Sequence, residues 1–280
     1  RRQRQMCIRD RTVDGSIATG AAVSVMLIRA GVSPIATLPI AFLAGALAGM
    51  VTGLLNTALG IPGILASILT QISLYSINLN IMGKANQPVS VDNYPLVVSL
   101  RYVTDGSVSR LLFFLGMIVF LLALIAVMYW YFGTEQGHAI RATGCNSNMA
   151  RAQGINTNFI KVLALMISNG LVGLCGALYG QFQGASDVNM GRGAIVIGLA
   201  AVIIGEVLFG KFASKRKLAF AFTLASVILG AVIYYMVYQF VLWLKMPSED
   251  MKLFSAIVVA IFLAIPYLKE KRTLRKGASK

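Results

Sequence analysis

Residues 133–158 read GTEQGHAIRATGCNSNMARAQGINTN, a polar island from Gly133 to Asn158 between two long apolar spans. It carries Arg141 and Arg151, and no acid follows Glu135. Upstream, Leu111–Phe132 runs 22 residues without a charge. Downstream, Phe159–Gln181 holds only Lys161, close enough to the span's end for its ammonium to snorkel toward the headgroups. About 20 apolar residues suffice to cross the hydrocarbon core, so both flanks are membrane-spanning helices. A membrane protein keeps a structured cytoplasmic loop of this size to touch something in the cytoplasm, and that something is the main clue to function.

The rest of the chain extends the same pattern. Of 280 residues, 57% are hydrophobic and 12% charged, with a mean hydropathy of +0.75; soluble domains carry about 25% charged residues. Eight hydrophobic elements stand out, at 15–31, 35–59, 62–82, 111–132, 159–182, 189–210, 217–244 and 251–268. The fold class is all-α, a polytopic helical membrane protein with one transmembrane domain over 12–280. A formal charge of +15 could point to nucleic acid. Here Lys and Arg gather at the ends of apolar spans instead, which is how a membrane protein sets its orientation.

Residues 1–11, RRQRQMCIRDR, show no apolar periodicity. Met6–Arg11 can be encoded by ATGTGTATAAGAGACAG plus one base, resembling a transposon-end sequencing adapter, and we read 1–11 as an assembly artefact. Setting aside its five Arg and one Asp takes the net charge from +15 to +11, still basic. Cys145 and Cys175 then remain, two lone cysteines whose number and spacing suggest neither a zinc site nor a disulfide framework.

Charge sets the orientation. The tail Lys269–Lys280 carries six Lys/Arg against one Glu, and Lys211–Lys217 four more; four spans separate the island from the tail and two separate it from Lys211–Lys217, so both lie on the island's side. Basic loops stay inside, so the island and C-terminus are expected in the cytoplasm and the loop Gly83–Ser109 outside. Gly15-x-Ile17-x-x-Gly20-x-Ala22 recurs as Gly193-x-Ile195-x-x-Gly198-x-Ala200 with four spans between, the signature of an inverted repeat. Such repeats with glycine-interrupted elements are typical of transporters.

Within the island the residue pattern predicts two short helices. The first covers 136–143, stopped by Gly144 in a left-handed conformation. The second is capped by Asn146, runs over 147–153 and ends at Gly154, and Asn156 caps the following span.

Several motifs carry no chemistry. Gly205–Lys211, GEVLFGK, imitates a phosphate-binding loop, but Phe212 stands where a magnesium-binding hydroxyl is required. Nucleotide hydrolysis is therefore expected on another chain, and no cofactor or metal is expected on this one. His138 is the only histidine, and no nucleophile, carboxylate pair or ligand cluster points to an enzyme. Glu206 is the only acid within an apolar span and lies four residues before Lys211, so local pairing and a role in gating both remain open. Asn56, Gln71, Asn78 and Asn169 are the polar side chains which, with Glu206, form a candidate substrate pathway; interhelical hydrogen bonding is the competing use of each. Asp187, Asn189 and Arg192 fall at the expected outer face, where a plain loop competes with substrate contact.

The pattern Glu135-x-Gly137-x-Ala139-x-Arg141-Ala142-x-Gly144-x-Asn146, followed by Ala150 and Gly154-Ile155-Asn156, resembles the cytoplasmic loop of bacterial ABC importer permeases of the branched-chain amino-acid and ribose type. Thr12-Val-Asp-Gly-Ser16 and Leu74-Tyr-Ser-Ile-Asn-Leu-Asn-Ile-Met-Gly83 look like the branch linked to aromatic amino-acid uptake. The resemblance covers Thr12–Lys280 and implies a permease dimer in the inner membrane. Its implied partners are two cytoplasmic ATPase subunits, which use the ATP, and an extracytoplasmic solute-binding protein. Coupling to the ATPase would fall to Gly137, Ala139, Arg141, Ala142, Gly144, Asn146, Ala150 and Gly154. The family's first helix has no counterpart here. A stand-alone secondary transporter and a non-transporting membrane scaffold are the rival readings.

Overall fold

The computed structural model describes residues 10–89, 96–98, 110–213 and 219–243. The chain divides into two units, Arg1–Ala194 and Ile195–Lys280. In order, the helices are α1 (Thr12–Arg29), α2 (Pro34–Thr57), α3 (Gly63–Met82), α4 (Arg110–Phe132), α5 (Glu135–Cys145), α6 (Ser147–Ala152), α7 (Thr157–Gln183), α8 (Ala194–Ala213) and α9 (Ala219–Trp243). The only strands among the described residues are β1 (Asn86–Pro88) and β2 (Ala185–Asp187), paired antiparallel with Gln87 opposite Ser186. The chain is thus an all-α polytopic membrane protein, with α2, α3, α7 and the Leu115–Phe132 part of α4 long and apolar enough to cross a bilayer. The expected element at 251–268 and the basic tail lie outside the described residues.

In the first unit α1, α2 and α7 pack along seams of small residues. A Cβ on Gly20 would lie 1.9 Å from the Gly173 carbonyl oxygen, one on Gly45 2.2 Å from that of Asn169, and one on Gly49 2.3 Å from that of Leu165. Lipid supplies no hydrophobic drive for helix association, so backbones in van der Waals contact must hold these helices together. Leu43, Leu47, Leu65 and Leu69 instead face outward, as lipid-facing residues do.

The seams also fix direction. Ser16 meets Asn169 and Ser24 meets Gln181, so α1 runs parallel to α7. Thr37 reaches Gln181 while Gly53 abuts Val162, so α2 runs antiparallel to it. Polar side chains inside these seams pair with one another: Thr12 with Thr52 at 2.9 Å, Ser24 with Thr37 at 2.9 Å, and Ser16 Oγ donating to Asn169 Oδ1 at 2.8 Å. Asp10, from the segment set apart on sequence grounds, accepts from the Thr12 amide at 3.0 Å and from Asn169 Nδ2 at 2.9 Å.

In the second unit α8 and α9 form an antiparallel pair by the same device. A Cβ on Gly205 would lie 2.2 Å from the Ser226 carbonyl oxygen, and one on Gly230 2.1 Å from that of Ala201. Ala200, Ile204 and Tyr234 are buried together there.

One boundary differs by several residues from the sequence reading. The element expected at 189–210 begins only at Ala194, after a chain of turns over 188–193. Gly193 takes φ +89 and admits the helix start, whereas its repeat counterpart Gly15 lies inside continuous α1. The repeated motif therefore has two local structures.

Candidate functional site

The polar island folds as α5 and α6, braced on both flanking spans. Thr134 caps α5, its Oγ1 accepting from the Gly137 amide at 3.4 Å. Asn146 Oδ1 accepts from the amides of Asn148 and Met149 at 3.2 and 3.3 Å and starts α6. Gly154 takes φ +83 just beyond α6, and Asn156 Oδ1 accepts from the Phe159 amide at 3.2 Å to open α7. The roles of Asn146, Gly154 and Asn156 agree with the sequence reading, which did not select Thr134. The expected stop at Gly144 does not: α5 continues through it to Cys145, and Asn146, extended at φ −154 and ψ 100, makes the break. Because Asn146 must leave the helix to cap the next one, no left-handed glycine is needed.

Both arginines tie the island down. Arg141 Nη2 donates to the Phe132 carbonyl at the end of α4, and the guanidinium lies 5.7 Å from the Phe132 ring centroid. A cation there meets the negative end of the helix dipole and the face of a ring, contacts worth about 0.3–1 and 0.5–1 kcal/mol at exposed sites. Arg151 Nη2 donates to Thr157 Oγ1 at 3.2 Å, in the first turn of α7. Gly137 sits so close beneath α4 that a Cβ would fall 2.5 Å from the Phe132 Cα.

The eight residues singled out for coupling thus divide by role. Gly137 and Ala150 are buried and hold the island's frame; Ala139, Arg141, Ala142 and Gly144 are half-buried; Asn146 and Gly154 are exposed. On α6 the exposed surface also presents Met149, 60% accessible, an apolar side chain that motif reading did not select.

A second feature is a cavity of about 420 Å³ between α1, α3 and the turns after β2. Arg11, Asp14, Gln71, Tyr75, Asn78, Asn189 and Arg192 are among the residues that line it. The turn chain descends along α1 from Val188, packed with Ala22 and Met82, to Gly191, whose Cβ would lie 1.9 Å from the Asp14 carbonyl oxygen. Those contacts on α1 are eight residues apart, about 12 Å of helix rise. Arg192 thus follows a contact with the first turn of α1 and lines the same cavity as Gln71 and Tyr75 from the middle of α3. The turns satisfy their own backbone at that depth: Met190, Arg192 and Ala194 amides donate to the carbonyls of Asp187, Asn189 and Gly191 at 3.0, 3.0 and 3.1 Å. Asn78 is 1% exposed, and neither atom of its carboxamide has a hydrogen-bond partner. Leaving such groups unpaired costs about 1–3 kcal/mol.

Of the five pathway candidates, only Gln71 and Asn78 come together, in this cavity. Asn169 is committed to the seam of α1, α2 and α7. Asn56 Nδ2 donates to the Ile61 carbonyl at 2.8 Å and pins the turn between α2 and α3. Glu206 is half-buried on α8, in the second unit. The stretch resembling a phosphate loop, Gly205–Lys211, is continuous helix within α8, so it offers no loop of amides to a phosphate.

Long apolar helices, a braced surface loop and a polar cavity among spans describe a transport subunit, and comparison with known families agrees. Residues 12–266 match the model of the branched-chain amino acid transport system permease component. The chain belongs to this permease family. The permease is 39% identical over 255 residues to the tyrosine transport system permease protein of Clostridioides difficile (strain R20291), covering 91% of this chain and 81% of that one. It is 31% identical over 261 residues to an uncharacterised protein of Rickettsia prowazekii (strain Madrid E), covering 92% and 87%. The autoinducer 2 import system permease protein LsrC of Yersinia pseudotuberculosis (strain YPIII) is 28% identical over 238 residues, covering 84% and 62%. No solved structure matches the permease. As an ABC permease component it is a multi-pass inner-membrane protein and not an enzyme, and its family works with ATPase and binding-protein partners.

Proposed function

We propose that this permease forms, as a homodimer, the path by which an amino acid enters the cell, powered by two ATPase subunits docked on α5 and α6. The island and C-terminus face the cytoplasm, and an external binding protein delivers solute on the side of Gly83–Ser109. The observation that carries the coupling role is the double brace: Arg141 fastens α5 to the end of α4, and Arg151 fastens α6 to the start of α7. A loop so held moves with its spans, so a push from a partner reaches the membrane domain as a rigid displacement. The tyrosine permease relative supports an amino-acid cargo. Alternating access follows when closure of the ATPases on ATP swings the spans.

The test is a pull-down of the solubilised permease with its ATPase. Replacing Gly137–Asn156 by a flexible linker of equal length should abolish co-purification while the permease still folds. Retained ATPase binding by the linker variant would contradict this reading. Residues 1–11 remain, in our reading, adapter-derived; a continuous genomic reading frame encoding them would overturn that.

A further inference from the structure

We propose that the cavity between α1, α3 and the Asn189–Arg192 turn is a binding site for the amino-acid zwitterion, so that the permease itself selects its cargo. This rests on the importer reading above and adds a specific site to it. Three observations converge. The cavity lies beside the middle of α3, nine residues into a 20-residue span at Gln71, which places it near mid-bilayer. Transporters put their sites at that depth, and irregular backbone is tolerated there where it lines a cavity. The turn over 188–193 is such a segment, and it carries Arg192 to a depth where a cation is costly unless it is paired or faces a cavity.

The lining then has the chemistry of a zwitterion. Arg192 offers a planar fork of N–H donors to a carboxylate. Asp14, on the α1 wall, offers acceptors to an ammonium group. Asn78 stands behind this lining, its carboxamide closed off from the open cavity and without a hydrogen-bond partner. Gln71 adds a further amide, and Tyr75 with Ile72 gives an aromatic and aliphatic wall for a side chain. A volume of about 420 Å³ accommodates one amino acid, within the ordinary range of small-ligand pockets. An ion or a purely apolar solute would use only part of this lining.

The experiment measures binding of labelled L-tyrosine to the complete permease–ATPase complex in nanodiscs without the external binding protein, beside uptake by the full system in proteoliposomes. Saturable binding is expected, competed by other L-amino acids but neither by tyramine, which lacks the carboxylate, nor by the deaminated acid, which lacks the ammonium. R192Q and D14N should each weaken binding at least tenfold. R192K, keeping the charge, should recover part of the loss, and ATPase co-purification should persist in all three. Unchanged binding in folded R192Q and D14N would overturn the site, as would equal competition by tyramine. Absence of binding in a complex whose uptake is intact would also overturn it and leave the importer reading standing. Absence of ATPase association in the wild type would instead sink the importer reading.

Discussion

At the scale of single residues, this protein is governed by glycine and by capping asparagine. Gly20 and Gly45 leave no room for a Cβ, the nearest carbonyl oxygens lying 1.9 and 2.2 Å from where it would stand, whereas Gly116 has open space around it. Gly20→Val and Gly45→Val should therefore destabilise the permease by the upper part of the ~1–3 kcal/mol overpacking range or more. Gly116→Ala should be neutral. Thermal midpoints in detergent measure this, and equal midpoints for all three would contradict the packing described. Capping was readable from sequence because it is local: Asn146, Gly154 and Asn156 act on amides or turns within a few residues. Gly144 misled because its usual role was pre-empted by its neighbour two residues on. The role of Asn78 was not readable, since a missing partner depends on what α1 and the turn after β2 bring near it.

At the scale of elements, the spans were legible wherever apolar runs met charged or capping residues. The boundaries at 110–132 and 157–183 fall within two residues of the sequence reading. The segment 188–193 was not, because its conformation is set by the close approach of Gly191 to Asp14, more than 170 residues away in the chain. The three-residue strands β1 and β2 escaped for the same reason, being too short to show alternation. The island makes a sharper prediction. Asn146→Ala removes the cap of α6 and should cost about 1 kcal/mol locally. Hydrogen exchange of the amides over 147–152 should accelerate roughly fivefold, while those in the middle of α7 keep their protection. Uniform acceleration in both would mean that α6 and α7 open as one body rather than separately.

At the scale of the whole molecule, orientation is the first claim to check. Cys145 is exposed at the end of α5, so in a variant with Cys7 and Cys175 replaced by Ser it reports the island's side. A membrane-impermeant maleimide should label it in inside-out vesicles and not in intact cells; labelling of intact cells would reverse the topology and exclude an ATPase at this site. The island can be seen in the sequence as a unit, and so can the family, but its stiffness is a property of Arg141 and Arg151 reaching back to the spans. The most direct test is transport by an Arg141→Gln/Arg151→Gln double variant reconstituted with its ATPase and binding protein, with uptake and ATP hydrolysis followed together. The account predicts that hydrolysis persists while solute moved per ATP falls at least tenfold. Wild-type uptake per ATP in that variant would contradict it.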